Sequence, residues 1–135
     1  MTSINKIALD TNILIYLYDE NEEKRSISEL LLAENPLIAS QVVSEFINVS
    51  KRLLKLPKAE LLHLVRRVFL NCKIANFTDV TLLMAEELAG RYDFQVFDAI
   101  IVASAIENEC NILYSEDMRH NLIIDKKLKI VNPYL

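Results

Sequence analysis

The sequence predicts an α/β fold: a three-layer α/β/α sandwich with a short, mostly parallel central sheet and helices on both faces. Short apolar runs alternate with segments of helical periodicity along the chain. The runs are continuous rather than alternating, as in strands of a parallel sheet buried on both faces. The 135 residues suit one domain with its own core, so residues 1–135 are read as a single unit.

Lys6-Ile7-Ala8-Leu9 reads as the first strand and stops at Asp10. Asn12 to Tyr18 is too apolar for a surface loop and is expected to be a short helix, before the polar break Asp19 to Glu23. Lys24 to Glu34 has helical spacing, with Ile27, Leu30 and Leu31 on one face. Pro36 to Ser40 reads as a second strand. A helix over Val42 to Leu54 places Val42, Phe46, Val49 and Leu53 along one side. Pro57 suits the first turn of a helix over Lys58 to Phe69. Lys73 to Phe77 reads as a third strand. Thr78 is an N-cap candidate for a helix to Ala89, with Gly90 as its C′ residue. Tyr92 to Phe97 reads as a loop, and Asp98 opens a very apolar helix over Ala99 to Glu107. Ile112-Leu113-Tyr114 and Lys129-Ile130-Val131 read as the fourth and fifth strands. Met84, Phe69 and Phe77 are core candidates.

The scarce residues restrict the chemistry. Gly90 is the one glycine, which excludes a P-loop, a dinucleotide fingerprint and a nucleophile elbow. Cys72, Cys110, His63 and His120 lack zinc-ligand spacing. The two cysteines read as reduced thiols of a cytoplasmic protein. No apolar stretch reaches the ~20 residues of a membrane span, and Met1 to Asp10 does not read as a signal peptide. The net charge of −4 argues against holding nucleic acid by bulk charge alone. It is compatible with a nucleic-acid enzyme, because a divalent cation inverts the field of an acidic pocket.

Carboxylates therefore carry the candidate site. Ligands of open α/β sheets bind beyond the carboxyl ends of the strands, where strand order reverses. Asp10 closes the first strand, Asp117 lies just past the fourth, and Asp98 stands at a helix start facing the same edge. Each has a plainer reading, Asp98 as an N-cap and the other two as turn residues. Glu45 lies along the apolar face of its helix, where a carboxylate must be paired, protonated or metal-bound. Four acids from four segments suit one or two hard divalent cations. His63 reads as a packed or surface histidine and His120 as a loop residue. Lys51, Arg52, Lys55, Arg66 and Arg67 read as solvated helix faces or as a nucleic-acid contact strip.

These motifs resemble the PIN domain family, in particular its small single-domain toxins of the VapC type. Leu9-Asp10-Thr11-Asn12 is similar to the opening strand motif, Ser44-Glu45-Phe46 to the helix acid, and Phe97 to Ala105 to the central aspartate and buried helix. Leu113 to Met118 is similar to the last acidic motif, and Ile130 to Tyr134 to the closing strand. The resemblance implies a ribonuclease that uses Mg²⁺ or Mn²⁺ to activate a water. Asp10, Asp98 and Asp117 would be ligands, and Glu45 would act directly or through water. Thr11, Asn12 and Ser115 match positions that orient the acids or contact substrate. Some relatives carry a further acid two residues after the last one; Arg119 stands there instead, suited to a phosphate. The resemblance also implies an RNA substrate, a homodimer, and an antitoxin whose tail covers the active site. Two other enzyme readings are a housekeeping RNA-processing nuclease and a haloacid-dehalogenase-like phosphatase, the latter needing an aspartate where Asn12 stands. A non-catalytic RNA- or protein-binding module is a third alternative.

Overall fold

The computed structural model describes residues 5–135; residues 1–4 of the expected domain lie outside the described residues. Strand β1 (Ile7–Leu9) leads into helix α1 (Thr11–Ile15), which tightens into a 3₁₀ turn over Tyr16–Tyr18. Helix α2 (Glu22–Leu32) begins at Asn21, whose side chain accepts the Lys24 amide, and carries Glu22 and Glu23 in its first turn. Strand β2 (Leu37–Ala39) runs directly into α3 (Ser40–Leu54), and α4 (Lys58–Val68) follows after Pro57. Next come β3 (Lys73–Ala75), α5 (Asp79–Tyr92), α6 (Val96–Glu107), β4 (Ile112–Tyr114), β5 (Ile123–Ile124) and β6 (Leu128–Val131).

The six strands form one sheet in the order β3-β2-β1-β4-β6-β5. All neighbours pair in parallel except β5, which runs antiparallel to β6. Successive strand residues face opposite sides, and Ile7, Ala8 and Leu9 are all buried. Both faces of the sheet are therefore covered, as a three-layer sandwich requires. Helix α6 lies deepest: every residue from Ala99 to Ala105 is buried. The apolar composition of this stretch is what such a position demands, since over these two turns no helix face meets water.

The strand order reverses between β1 and β4. β1 leads outward through β2 to β3, whereas β4 leads the other way through β6 to β5. The crevice at this reversal is the expected ligand position.

Several expectations need correction. The pair Ile123–Ile124 forms an edge strand that a two-residue apolar signal could not announce. Helix α6 starts at Val96, with Gln95 as N-cap, rather than at Asp98. Gly90 lies inside α5, which continues to Tyr92 and is closed by Asp93 in the left-handed conformation, φ 57°. Phe77 is exposed rather than a core residue, whereas Phe69 is buried and Met84 half-buried. Thr78 does cap α5, through a reciprocal capping box with Thr81. Both cysteines are free thiols, and burial pushes each up to about 11. Among the described residues no helix is long and apolar enough to cross a membrane.

Candidate active site

The site is built at the ends of β1 and β4. The parallel ladder continues one step beyond the strands: the Asp10 amide donates to the Tyr114 carbonyl at 3.0 Å, and the Ser115 amide to the Val131 carbonyl at 3.0 Å. Asp10 and Ser115 are thus fixed side by side. The Ser115 hydroxyl donates to Asp10 Oδ2 at 2.8 Å, and the Thr11 amide donates to Asp10 Oδ1 at 2.7 Å. Asp10 therefore caps α1, a role its plainer reading as a turn residue did not include, while its other oxygen is turned toward β4.

Asn12 ties the two loops together. Its Nδ2 donates to Asp117 Oδ2 at 3.0 Å and, more weakly, to Asp10 Oδ2 at 3.5 Å. Its Oδ1 accepts the Glu116 amide at 3.2 Å. An aspartate at this position would lack both donations and add a fifth negative charge. Ser115 Oγ also accepts the Met118 amide at 3.2 Å, fixing the turn that carries Asp117.

Glu45 enters from α3. Its Oε2 accepts the Thr11 hydroxyl at 2.9 Å, and its Oε1 accepts Gln41 Nε2 at 2.9 Å. Gln41 was not singled out in the sequence. The i,i+4 spacing of Gln41 and Glu45 was the available signal. The other amide atom, Gln41 Oε1, is buried and has no partner. Asp98 projects from the first turn of α6, and among the described residues no side chain caps that helix. Its N-cap reading is therefore set aside in favour of Gln95.

None of the four acids is ion-paired among the described residues; the three ion pairs lie elsewhere. One of these involves Glu116, next in sequence to Asp117. It accepts Tyr16 Oη at 2.6 Å and pairs with Lys24 at 3.3 Å, so its side chain belongs to a structural clasp. Burial, and secondarily the charges of Asp98 and Glu45, push Asp10 up to about 6. Burial, then Asp117 and Glu45, also raise Asp98. The charges of Glu45 and Asp117 thus reach the pocket that holds Asp10 and Asp98.

A cleft of about 420 Å³ opens beside these acids, lined by Asp98, Asp117, Arg119, Gln95, Phe94 and Arg91 among others. Arg119 and Asp117 are exposed at its rim. Arg91 is held by Asp125 through contacts of 2.6 and 3.0 Å. His120 stands apart: its Nδ1 accepts the Asn132 amide at 2.9 Å, a structural bond requiring an unprotonated ring nitrogen there. His63 is exposed on α4.

The donor set is all oxygen and uncompensated in charge, which suits a hard divalent cation. Among the described residues no three or more Asp, Glu, His or Cys side chains lie together closely enough to hold a metal ion by themselves. A cation bound beside these acids would need water or substrate oxygens to complete its shell, as Mg²⁺ commonly does.

A sequence model of the PIN domain matches residues 7–124. The chain belongs to the PIN domain family. No curated protein sequence matches it. Several solved structures share the PIN fold. A chain of a toxin–antitoxin complex from Klebsiella pneumoniae superposes with a TM-score of 0.72 at 22% identity, covering 96% of this chain and 98% of that one. FitAcB from Neisseria gonorrhoeae gives 0.65 at 18% identity, covering 95% and 98%. VapC20 of Mycobacterium tuberculosis, a sarcin-ricin loop cleaving toxin, gives 0.64 at 17% identity, covering 83% and 90%. At these identities the likeness establishes a shared PIN fold.

Proposed function

We propose that this PIN domain is a metal-dependent ribonuclease, acting as the toxin of a toxin–antitoxin pair. The observation that carries the reading is the group of four acids, Asp10, Glu45, Asp98 and Asp117, at the reversal of the sheet, none of them ion-paired among the described residues. Asp10, Asp98 and Asp117 would hold Mg²⁺ or Mn²⁺, with Glu45 acting directly or through water. A cation there supplies a Lewis acid for the phosphate and acidifies the attacking water. Ser115 and the Thr11 amide fix the Asp10 carboxylate, one donor to each oxygen. Asn12 holds Asp117 against that edge, and Thr11 and Gln41 keep Glu45 aimed inward. Arg119, which lines the cleft, would meet a phosphate of the bound strand.

The first test is cleavage. Structured RNA incubated with the protein and Mg²⁺ or Mn²⁺ is cut, and excess chelator stops the reaction. Asp98→Asn, which removes one charge from the group, loses nearly all of it. Full activity in chelator would overturn metal dependence, and full activity in Asp10→Asn and Asp98→Asn together would overturn the site.

The toxin reading rests on the fold shared with the toxin–antitoxin chains above. It brings a protein antitoxin and a homodimer in the cytoplasm. Val96, exposed by 71%, and Leu82, exposed by 44%, line one apolar groove between α5 and α6, which suits a second copy. Expression of the chain alone arrests growth and expression of Asp98→Asn does not. Unimpaired growth with an active enzyme would favour a housekeeping nuclease.

A further inference from the structure

The molecule is acidic overall, yet its charge is unevenly placed. Six of the fifteen Lys and Arg residues fall within 51–67, against one of the nineteen acids, Glu60. That stretch carries +5 and the rest of the chain −9. It forms the end of α3, the turn at Pro57, and α4. Lys51, Arg52, Lys55, Lys58, Arg66 and Arg67 are all exposed, and none enters an ion pair among the described residues. The dipoles of α3 and α4 favour cations in their last turns, which accounts for Lys51, Arg52, Arg66 and Arg67 individually. It does not account for Lys58, in the first turn of α4, where a cation is disfavoured.

This basic hairpin adjoins the acids. Arg52 lies seven residues after Glu45 on α3, which at 100° per residue brings it within about 20° of the same direction and ~10.5 Å along the axis. Lys55 closes the helix, about 15 Å from Glu45 by the same rise. Helix α4 folds back along α3, with the Phe69 ring 5.3 Å from that of Phe46. Arg66 and Arg67 are thereby returned toward the level of the site. A polyanion drawn to four carboxylates needs such a counterweight. The Debye length at 0.1 M salt is ~10 Å, so Arg52 acts on a strand that has its scissile phosphate at the acids.

We propose that the α3–α4 hairpin is the surface along which RNA reaches the site, its phosphates held by Arg52 and Lys55 with Lys51 beside them. This rests on the nuclease reading and adds to it the direction of the bound strand: away from the acids along α3, about three nucleotides to Arg52 at ~3.4 Å each for a stacked strand. The contacts are to the backbone, so they supply affinity without sequence preference.

The test compares Arg52→Gln/Lys55→Gln with Lys6→Gln/Lys73→Gln. The second pair removes the same charge near the starts of β1 and β3, at the opposite edge of the sheet. Binding of a labelled 2′-O-methyl RNA, which cannot be cleaved, is followed by anisotropy against NaCl. Two lost phosphate contacts reduce the slope of log K against log salt by about 1.4 and weaken binding roughly tenfold at 0.1 M salt. In cleavage of unmodified RNA the hairpin variant raises KM and leaves kcat unchanged, and the control pair changes neither. If wild-type protein cleaves RNA but the hairpin variant keeps its slope and KM, the hairpin proposal is overturned and the patch faces an acidic protein instead. If wild type cuts no RNA yet binding still depends on Arg52 and Lys55, the nuclease reading fails and the hairpin proposal stands. Absence of RNA binding by wild type would overturn both.

Discussion

At the residue scale, Asp10 carries the sharpest consequence. Burial raises its carboxyl from 3.8 to about 6 in the folded protein. Between those values the folded state holds more proton than the unfolded chain. Stability therefore falls as pH rises from about 4 to about 6, and the penalty is fully present above 6. A shift of this size corresponds to about 3 kcal/mol. Asn caps a helix about as well as Asp, and the Ser115 hydroxyl can turn to accept from an amide. Asp10→Asn is thus expected to melt above wild type at pH 7.5 in chelator, with the advantage fading toward pH 4. A variant that melts lower at pH 7.5 would mean that the ionised carboxylate is a net stabiliser. The raised carboxyls of Asp10 and Asp98 are a cost to the fold, and a protein retains such a cost where function requires it.

At the scale of elements, α5 separates two readings of one residue. As a C′ residue in the left-handed conformation, Gly90 would resist replacement by alanine. The structure places it inside the helix with no positive φ. An added Cβ would meet nothing within 4 Å. Gly90→Ala is therefore expected to stabilise the protein by about 0.5–1 kcal/mol, read as a higher melting temperature. A lower one would restore the C′ assignment. The true stop is Asp93, whose left-handed φ a carboxylate side chain tolerates. Glycine was the stronger signal in the sequence because helix ends favour it, but packing of α5 on α6 carried the helix beyond it.

At the scale of the whole molecule, the sheet reversal brings acids from four distant segments into one field. Adding Mn²⁺ is expected to raise the wild-type melting temperature, since a ligand at a hundred times its dissociation constant adds about 2.7 kcal/mol. Asp98→Asn and Asp117→Asn gain much less, because each removes charge from the shared field. Glu86→Gln, an exposed change within α5, gains as wild type does. Equal shifts in all four proteins would show that the ion binds elsewhere, and no shift in any would remove the metal from the site.

The sequence by itself determined the α/β class, all strands but one, and the six helices to within a few residues. Continuous apolar runs such as Ile7–Leu9 and Ala99–Ala105 are long enough, or apolar enough, to have one stable place, the two-sided interior. It also singled out Asp10, Glu45, Asp98 and Asp117, because carboxylates beside apolar runs are conspicuous. The tertiary structure alone decided the edge strand Ile123–Ile124, whose two residues pair only because β6 offers an edge. It alone decided that Glu116 is clasped by Lys24 and Tyr16 while neighbouring Asp117 is not, and that Gln41 steers Glu45. Hydrogen bonds such as Asn12 to Asp117 join residues 105 positions apart. No local pattern encodes such a meeting; it exists only once the parallel sheet has set β1 beside β4.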